Sequence, residues 1–298
     1  MLWKKVLAVI VALLLVAPAM AWRQLPAIGA GGLLHPARHV STVPPPDHCD
    51  EATFDGVGVA LKGWHCAATQ GPAVGTIVYL HGIADNHASA AGAIARYQPH
   101  GFDVIAYDSR AHGTSEGTAC TYGFYEKLDL FRVIASVARG PVILMGTSLG
   151  AAVALQEAPD DRRVTAIVAA ETFSDLRTVA TERAPFFFTK PLIDRALALA
   201  ESQGHFRVDG VSPVRSAAEL TIPVLLIHGA NDTETRPDHS QRVFAALRGP
   251  KKLILVPGAG HNQSLGDADV WQQIDRWIFV SAAGRADEET RTSAQPSR

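Results

Sequence analysis

Cysteine is scarce: Cys49, Cys66 and Cys120 are the only three in 298 residues, and none falls in a C-x-x-C pair. An H-E-x-x-H signature is missing as well, so the spacings that build zinc and similar centres are absent and no metal is expected. In an oxidising compartment three cysteines allow one disulfide and leave one thiol, and spacing does not say which two pair. Charge of one sign is lacking too. The 27 Lys and Arg residues face 29 Asp and Glu, a formal net of -2, and no basic cluster occurs. Phosphate recognition depends on such clusters, which argues against nucleic acid as a partner.

The chain opens with Lys4 and Lys5, an apolar run over 6–16, and the small residues Ala17, Pro18, Ala19, Met20 and Ala21 before Trp22. A short basic stretch, an apolar core and an A-x-A site read as a secretory signal over 1–21, with an exported (secreted or periplasmic) chain starting at Trp22. The competing reading is an uncleaved anchor that holds the protein at a membrane. The apolar stretch over 6–21 is slightly shorter than the roughly 20 residues of a span, and no cysteine follows it to carry a lipid. Residues 22–48 are rich in Pro, Gly, Ala and His without periodicity and read as an extended linker. Residues 281–298 are small, polar and charged, the composition of a disordered tail.

Between these ends, 49–280 has the length and the apolar content, 47% for the whole chain, of one globular domain. Segments 57–61 and 64–67 read as a hairpin joined near Lys62 and Gly63. Apolar runs of strand length follow at 76–80, 104–107, 142–145, 164–169, 224–227 and 253–256, separated by helix-length segments. Continuous rather than alternating hydrophobicity means strands covered on both faces. The fold class is therefore α/β, with a mostly parallel central sheet and helices on both sides. Two helices show their apolar faces: Leu128, Phe131, Ala135 and Ala138 oppose Lys127, Asp129 and Arg132, while Trp271, Ile274, Trp277 and Ile278 oppose Gln272 and Asp275. An insertion over 173–210, carrying Phe186, Phe187, Phe188, Leu192 and Ile193, reads as a small helical cap.

Gly146, Thr147, Ser148, Leu149 and Gly150 lie between a buried strand and an Ala-rich helix. A G-x-S-x-G run in that setting is a sharp turn that projects its serine as a nucleophile. Partners are needed in the order acid, then histidine, each after a later strand. Asp232 follows strand 224–227 and His261 follows strand 253–256 in a glycine-rich turn. Glu234 and Asp238 are rival acids farther from the strand end, and His228 and His112 are disfavoured as bases by chain order. Asp108, Arg110 and His112 read as loop-fixing groups. Backbone N–H groups must meet the developing oxyanion. Leu149, after the serine, and Ile83, in the turn of His81 and Gly82, are the candidates. Phe173, Phe186 and Phe187 are candidates for an apolar substrate pocket.

Five stretches in order, Leu80 to Ile83, Tyr107 to Gly113 with Ser115 and Gly117, Gly146 to Gly150, His228 to Asp232, and Gly260 with His261, resemble the α/β-hydrolase superfamily. More narrowly they are similar to its serine-aminopeptidase-like and Bem46-like hydrolases with small caps. Glu171 to Leu176, followed by Ala184, Pro185 and Phe186, looks like the start of that group's cap. One departure is Pro237, five residues after Asp232 where relatives place a proline four after. The resemblance implies the α/β-hydrolase fold with an N-terminal hairpin and a Ser148, His261, Asp232 triad working without a cofactor. Known members include esterases, lipases, thioesterases and peptidases, so the resemblance fixes chemistry better than substrate. The aromatic cap residues favour a small-molecule carboxylic ester or other acyl substrate with an apolar acyl part, with peptide or amide and thioester hydrolysis as alternatives and a non-catalytic binding protein on the same fold as the less favoured reading.

Overall fold

The computed structural model describes residue 3 and residues 22–293, with side chains through residue 282. The expected signal or anchor over 1–21 thus lies, apart from residue 3, outside the described residues. Among those described, no helix is long and apolar enough to cross a membrane.

Strands β1 (Cys49–Asp55), β2 (Ala60–Cys66), β3 (Gly75–Leu80), β4 (Phe102–Tyr107), β5 (Val142–Thr147), β6 (Val164–Ala170), β7 (Val224–Gly229) and β8 (Lys251–Val256) form one sheet in the order β1-β2-β4-β3-β5-β6-β7-β8. The β1–β2 and β2–β4 pairs are antiparallel and the rest are parallel. Strands β3, β4, β6 and β7 are buried along their whole length. Val78 and Leu80 enter one apolar core while Ile77 and Tyr79 enter the other, so alternate side chains feed both faces, as continuous hydrophobicity requires. β8 departs from this pattern because it is an edge strand, with Leu255 39% exposed.

The α-helices among the described residues are α1 (residues 22–34), α2 (Ala91–Tyr97), α3 (Glu126–Val137), α4 (Leu149–Glu157), α5 (Leu176–Arg183), α6 (Lys190–Gly204), α7 (Pro213–Ala217), α8 (Asp238–Ala246) and α9 (Ala268–Ser293). Helices α5 and α6 fill the insertion expected to form a cap. Val270, Ile274 and Ile278 of α9 are buried, with Trp271 and Trp277 half-buried beside them.

Four expectations are corrected. The linker over 22–48 is extended only from residue 35; residues 22–34 are helix α1, whose Ala30 and Leu34 are buried in the core shared with the cap. The Leu34 carbonyl accepts the Cys120 N–H at 2.8 Å and the Leu33 carbonyl accepts the Tyr122 hydroxyl at 3.0 Å. Docking of this face overrides the poor helix propensity of Pro26 and three glycines. The hairpin is real, but its turn is at 56–59, closed by the Gly56 N–H on the Val59 carbonyl at 2.9 Å. Gly63 is needed for a different reason: a Cβ there would lie 2.1 Å from the Ala106 carbonyl oxygen of β4.

The third correction concerns α3, which buries Leu130, Val133 and Ile134 and leaves Leu128 and Phe131 each 43% exposed. Asp129 claims the inner face because its carboxylate takes both Nε and Nη2 of Arg110, at 2.7 and 2.8 Å, and the Val57 N–H at 2.7 Å. A charge can be buried there only because it is paired in this way. The fourth is the tail: α9 runs on to Ser293, so the disorder expected over 281–298 is replaced by helix through 293, and 294–298 lie outside the described residues. Propagation of an established helix adds one bond per residue without a new nucleus.

Cys49 and Cys66, opposite one another in the β1–β2 register, are joined in a disulfide, and Cys120 is buried and free.

Glu157, at the end of α4, is buried beside the carboxyl of Asp161. Burial, then the charge of Asp161, push its pKa up to about 9 from an ordinary 4.5. Between those values the folded chain holds a proton that the unfolded chain has released, so stability falls as pH rises through the window. Glu157→Gln is therefore expected to raise Tm near pH 8, with the gain shrinking towards about pH 4.5 in a thermal melt series.

Candidate active site

The parallel register brings several strand ends to one edge. Leu80 pairs with Gly146, Thr147 with Ala170, Ala170 with Ile227, and Gly229 with Val256. The loops that leave this edge carry His81, Ser148, Glu171, Asp232 and His261.

Ser148 adopts φ 48° and ψ −109° between β5 and α4, a region L-residues avoid and one that marks backbone held by its surroundings. Both flanking glycines are explained by packing. A Cβ at Gly146 would lie 2.4 Å from the Gly150 carbonyl carbon, and one at Gly150 would lie 2.1 Å from the Leu80 carbonyl oxygen. The serine N–H is fixed on the Ala170 carbonyl at 2.8 Å.

The Ser148 Oγ lies 3.1 Å from His261 Nε2, and His261 Nδ1 lies 2.6 Å from Asp232 Oδ2. Burial raises the Asp232 pKa, but hydrogen bonds from His228, His261 and the Thr235 N–H outweigh it and hold the carboxyl well below the usual carboxylate range. An ionised carboxylate only accepts, so His261 carries its proton on Nδ1, and Nε2 is left to accept the serine hydroxyl. The other Asp232 oxygen accepts the Glu234 and Thr235 N–H groups, each at 2.9 Å. The rivals are elsewhere: Glu234 is exposed, and Asp238 faces Arg236 at 3.5 Å.

His228, expected to be structural, is fully buried. Its Nε2 donates to the Thr235 carbonyl at 2.7 Å and lies 3.3 Å from Asp232 Oδ2, while Nδ1 pairs with the Ser240 hydroxyl at 2.6 Å. It orients the acid rather than meeting the serine. The residues read as loop-fixing do hold loops. Asp108 accepts the His87 and Thr114 N–H groups at 2.8 and 2.9 Å, and His112 Nδ1 donates to the Arg110 carbonyl at 2.9 Å.

Leu149 opens α4, so its N–H has no intrahelical carbonyl. Ile83 and Leu149 both line the cavity that Ser148 borders. The turn before Ile83 is anchored by His81, whose Nε2 accepts the Ser109 N–H at 2.9 Å while Nδ1 donates to the Gly82 carbonyl at 2.6 Å. Burial lowers the His81 pKa and keeps the ring neutral in this role.

The cavity measures about 300 Å³. Phe173, 5% exposed, lines it as expected. Phe186 and Phe187 do not: they are 100% and 44% exposed and meet each other edge to face, with ring centroids 5.4 Å apart. The turn closed by the Phe188 N–H on the Pro185 carbonyl puts those two rings at its tip and turns Phe188 into the cavity.

One residue given no role by sequence reasoning is Glu171. It sits at φ 58° directly after β6, 1% exposed, and accepts the Asn262 N–H and, at 3.1 Å, the Ser264 N–H on either side of the loop that follows His261. Its Oε2 lies 3.9 Å from His261 Nδ1. An acid at the end of a predicted inner strand, beside the elbow strand, was the available signal. Ligand atoms of Glu171, Asp232 and His261 lie within 4.8 Å of one another, yet each is already engaged by hydrogen bonds. A cation there would have to break the acid–histidine bond.

A mostly parallel sheet carrying a serine elbow after β5, an acid after β7 and a histidine after β8 defines a hydrolase class, and the chain belongs to the alpha/beta hydrolase family, whose model matches residues 77–272. It is 31% identical over 220 residues to the uncharacterized protein YqkD of Bacillus subtilis, covering 70% of each chain. It is 28% identical over 227 residues to the uncharacterized protein YfhR of Escherichia coli K12, covering 72% of this chain and 75% of that one. Among solved structures it is similar to the Pyrococcus furiosus esterase Pf2001, with TM-score 0.67 at 20% identity over 82% of this chain and 98% of the other. A Pyrococcus horikoshii acylaminoacyl peptidase matches with TM-score 0.58 at 16% identity, over 73% of this chain and 38% of the other. These last two likenesses speak for the fold.

Proposed function

We propose that the protein is a serine hydrolase that cleaves carboxylic esters of small molecules through an acyl-enzyme. The observation that carries this reading is the unbroken chain from Asp232 through His261 to a strained Ser148 at the wall of an apolar cavity. His261 Nε2 takes the hydroxyl proton as Ser148 Oγ bonds to the substrate carbonyl carbon, and Asp232 stabilises the imidazolium that forms. The N–H groups of Ile83 and Leu149 receive the oxyanion. Collapse breaks the ester C–O bond, and the leaving alcohol departs with the proton held by His261. Water, deprotonated by the same ring, then releases the acid and restores the serine.

No step draws on a cofactor. The disulfide between Cys49 and Cys66 and the basic-apolar start of the sequence support an exported protein. N-terminal sequencing separates a chain beginning at Trp22 from one that keeps a membrane-tethering segment.

A fluorophosphonate probe is expected to label Ser148, read by peptide mapping, and short acyl esters are expected to turn over well ahead of aminoacyl amides and thioesters. Correctly folded protein that takes up no probe overturns the serine mechanism. Amide turnover that exceeds ester turnover replaces the ester reading with a peptidase.

A further inference from the structure

Helix α1 does more than cover the core. The cavity beside Ser148 is walled by cap residues such as Leu176, Val179 and Ile193, and also by Gly29, Gly32 and Leu33 of α1. Two of those three α1 positions lack a side chain, so the helix contributes backbone to the wall and leaves the adjoining space to a ligand. A Cβ added at Gly32 would meet no atom within 4 Å. Glycine inside a helix is unfavourable by about 1 kcal/mol relative to alanine, and packing does not require it at Gly32. The neighbouring Gly31 is equally uncrowded but does not line the cavity.

We infer that α1 is the specificity-determining wall of an acyl pocket, and that Gly32 sets how long a linear acyl chain the protein accepts. The inference rests on the serine hydrolase reading for the position of the carbonyl, while the shape of the pocket stands independently of it. At about 30 Å³ for each water-sized group, a cavity of about 300 Å³ holds on the order of ten methylenes, the size of a medium-chain acyl group. Its lining is aliphatic and aromatic, and the polar groups at its border, Ser148, Arg183 and Thr235 among them, suit a ligand with one polar end and an apolar body.

The test is a matched pair in the full chain, Gly32→Phe against Gly31→Phe, each checked for wild-type thermal unfolding. Two readouts are taken across a saturated series from acetyl to dodecanoyl: calorimetric binding of the free fatty acids, and kcat/KM on the corresponding p-nitrophenyl esters. Gly32→Phe is expected to weaken binding of octanoate and longer acids about tenfold or more, because a ring in the pocket displaces several methylenes. The chain-length optimum should fall, while Gly31→Phe keeps the wild-type profile. Should Gly32→Phe fold and bind every chain length as wild type does, α1 is not the wall and the inference is overturned; equal shifts in both variants overturn it as well. Should fatty acids bind with the expected shift while no ester is turned over, the pocket stands and the catalytic reading falls.

Discussion

Ser148→Ala is expected to abolish fluorophosphonate labelling and lower ester kcat at least about ten-thousand-fold, the scale on which a triad fails when its nucleophile is removed. Folding should survive. The substitution removes one hydroxyl whose partner is His261, and alanine meets the same strained φ that serine already tolerates. Thermal melts and binding of an acyl ligand should therefore stay close to wild type while turnover disappears. A variant that keeps substantial ester turnover would show that another group attacks the carbonyl. One that loses its cooperative melt would show that the hydroxyl is part of the framework.

Gly150→Ala carries the second large effect, through the fold. A single methyl at that position lies 2.1 Å from the Leu80 carbonyl oxygen and 2.5 Å from its carbon, and both contacts are backbone, which cannot swing aside. Either α4 moves off β3 or the elbow unwinds. The expected loss exceeds about 3 kcal/mol, within the range reserved for strained or overpacked positions. Urea unfolding measures it directly, and probe labelling should fall in whatever fraction stays folded. Wild-type stability and labelling would mean that the two backbones do not approach this closely in solution.

Much of the sheet was legible because strands such as β3 and β7 carry continuous apolar runs, Ile77 to Leu80 and Val224 to Ile227, the pattern of strands covered on both faces. The chemistry was legible for a related reason: parallel strands end on one edge, so chain order and strand ends sufficed to place Ser148, Asp232 and His261 together. What escaped was decided by tertiary contact. Helix α1 is glycine-rich and reads as a linker until Ala30 and Leu34 are seen docked on the cap. Gly63 looks like a turn residue, but a close approach of two strands requires the same residue type. Asp129 looks like a surface residue until Arg110 meets it, and that pairing rotates α3 away from the apolar face its sequence suggests. Phe186, Phe187 and Phe188 are chemically identical, and only the turn at Pro185 decides which one faces the cavity. Glu171 was passed over because its partners are backbone amides, which no side-chain pattern announces.

The serine and the histidine are separated by 113 positions, and the histidine and its acid by 29. The nucleophile is thus synthesised well before its base, which sits on the loop that follows the edge strand β8. A nascent chain, or a fragment cut anywhere before residue 261, carries an inert alcohol. Reactivity therefore depends on the completed pairing of β8 with β7, so a molecule without that pair has no competent nucleophile to turn on its surroundings.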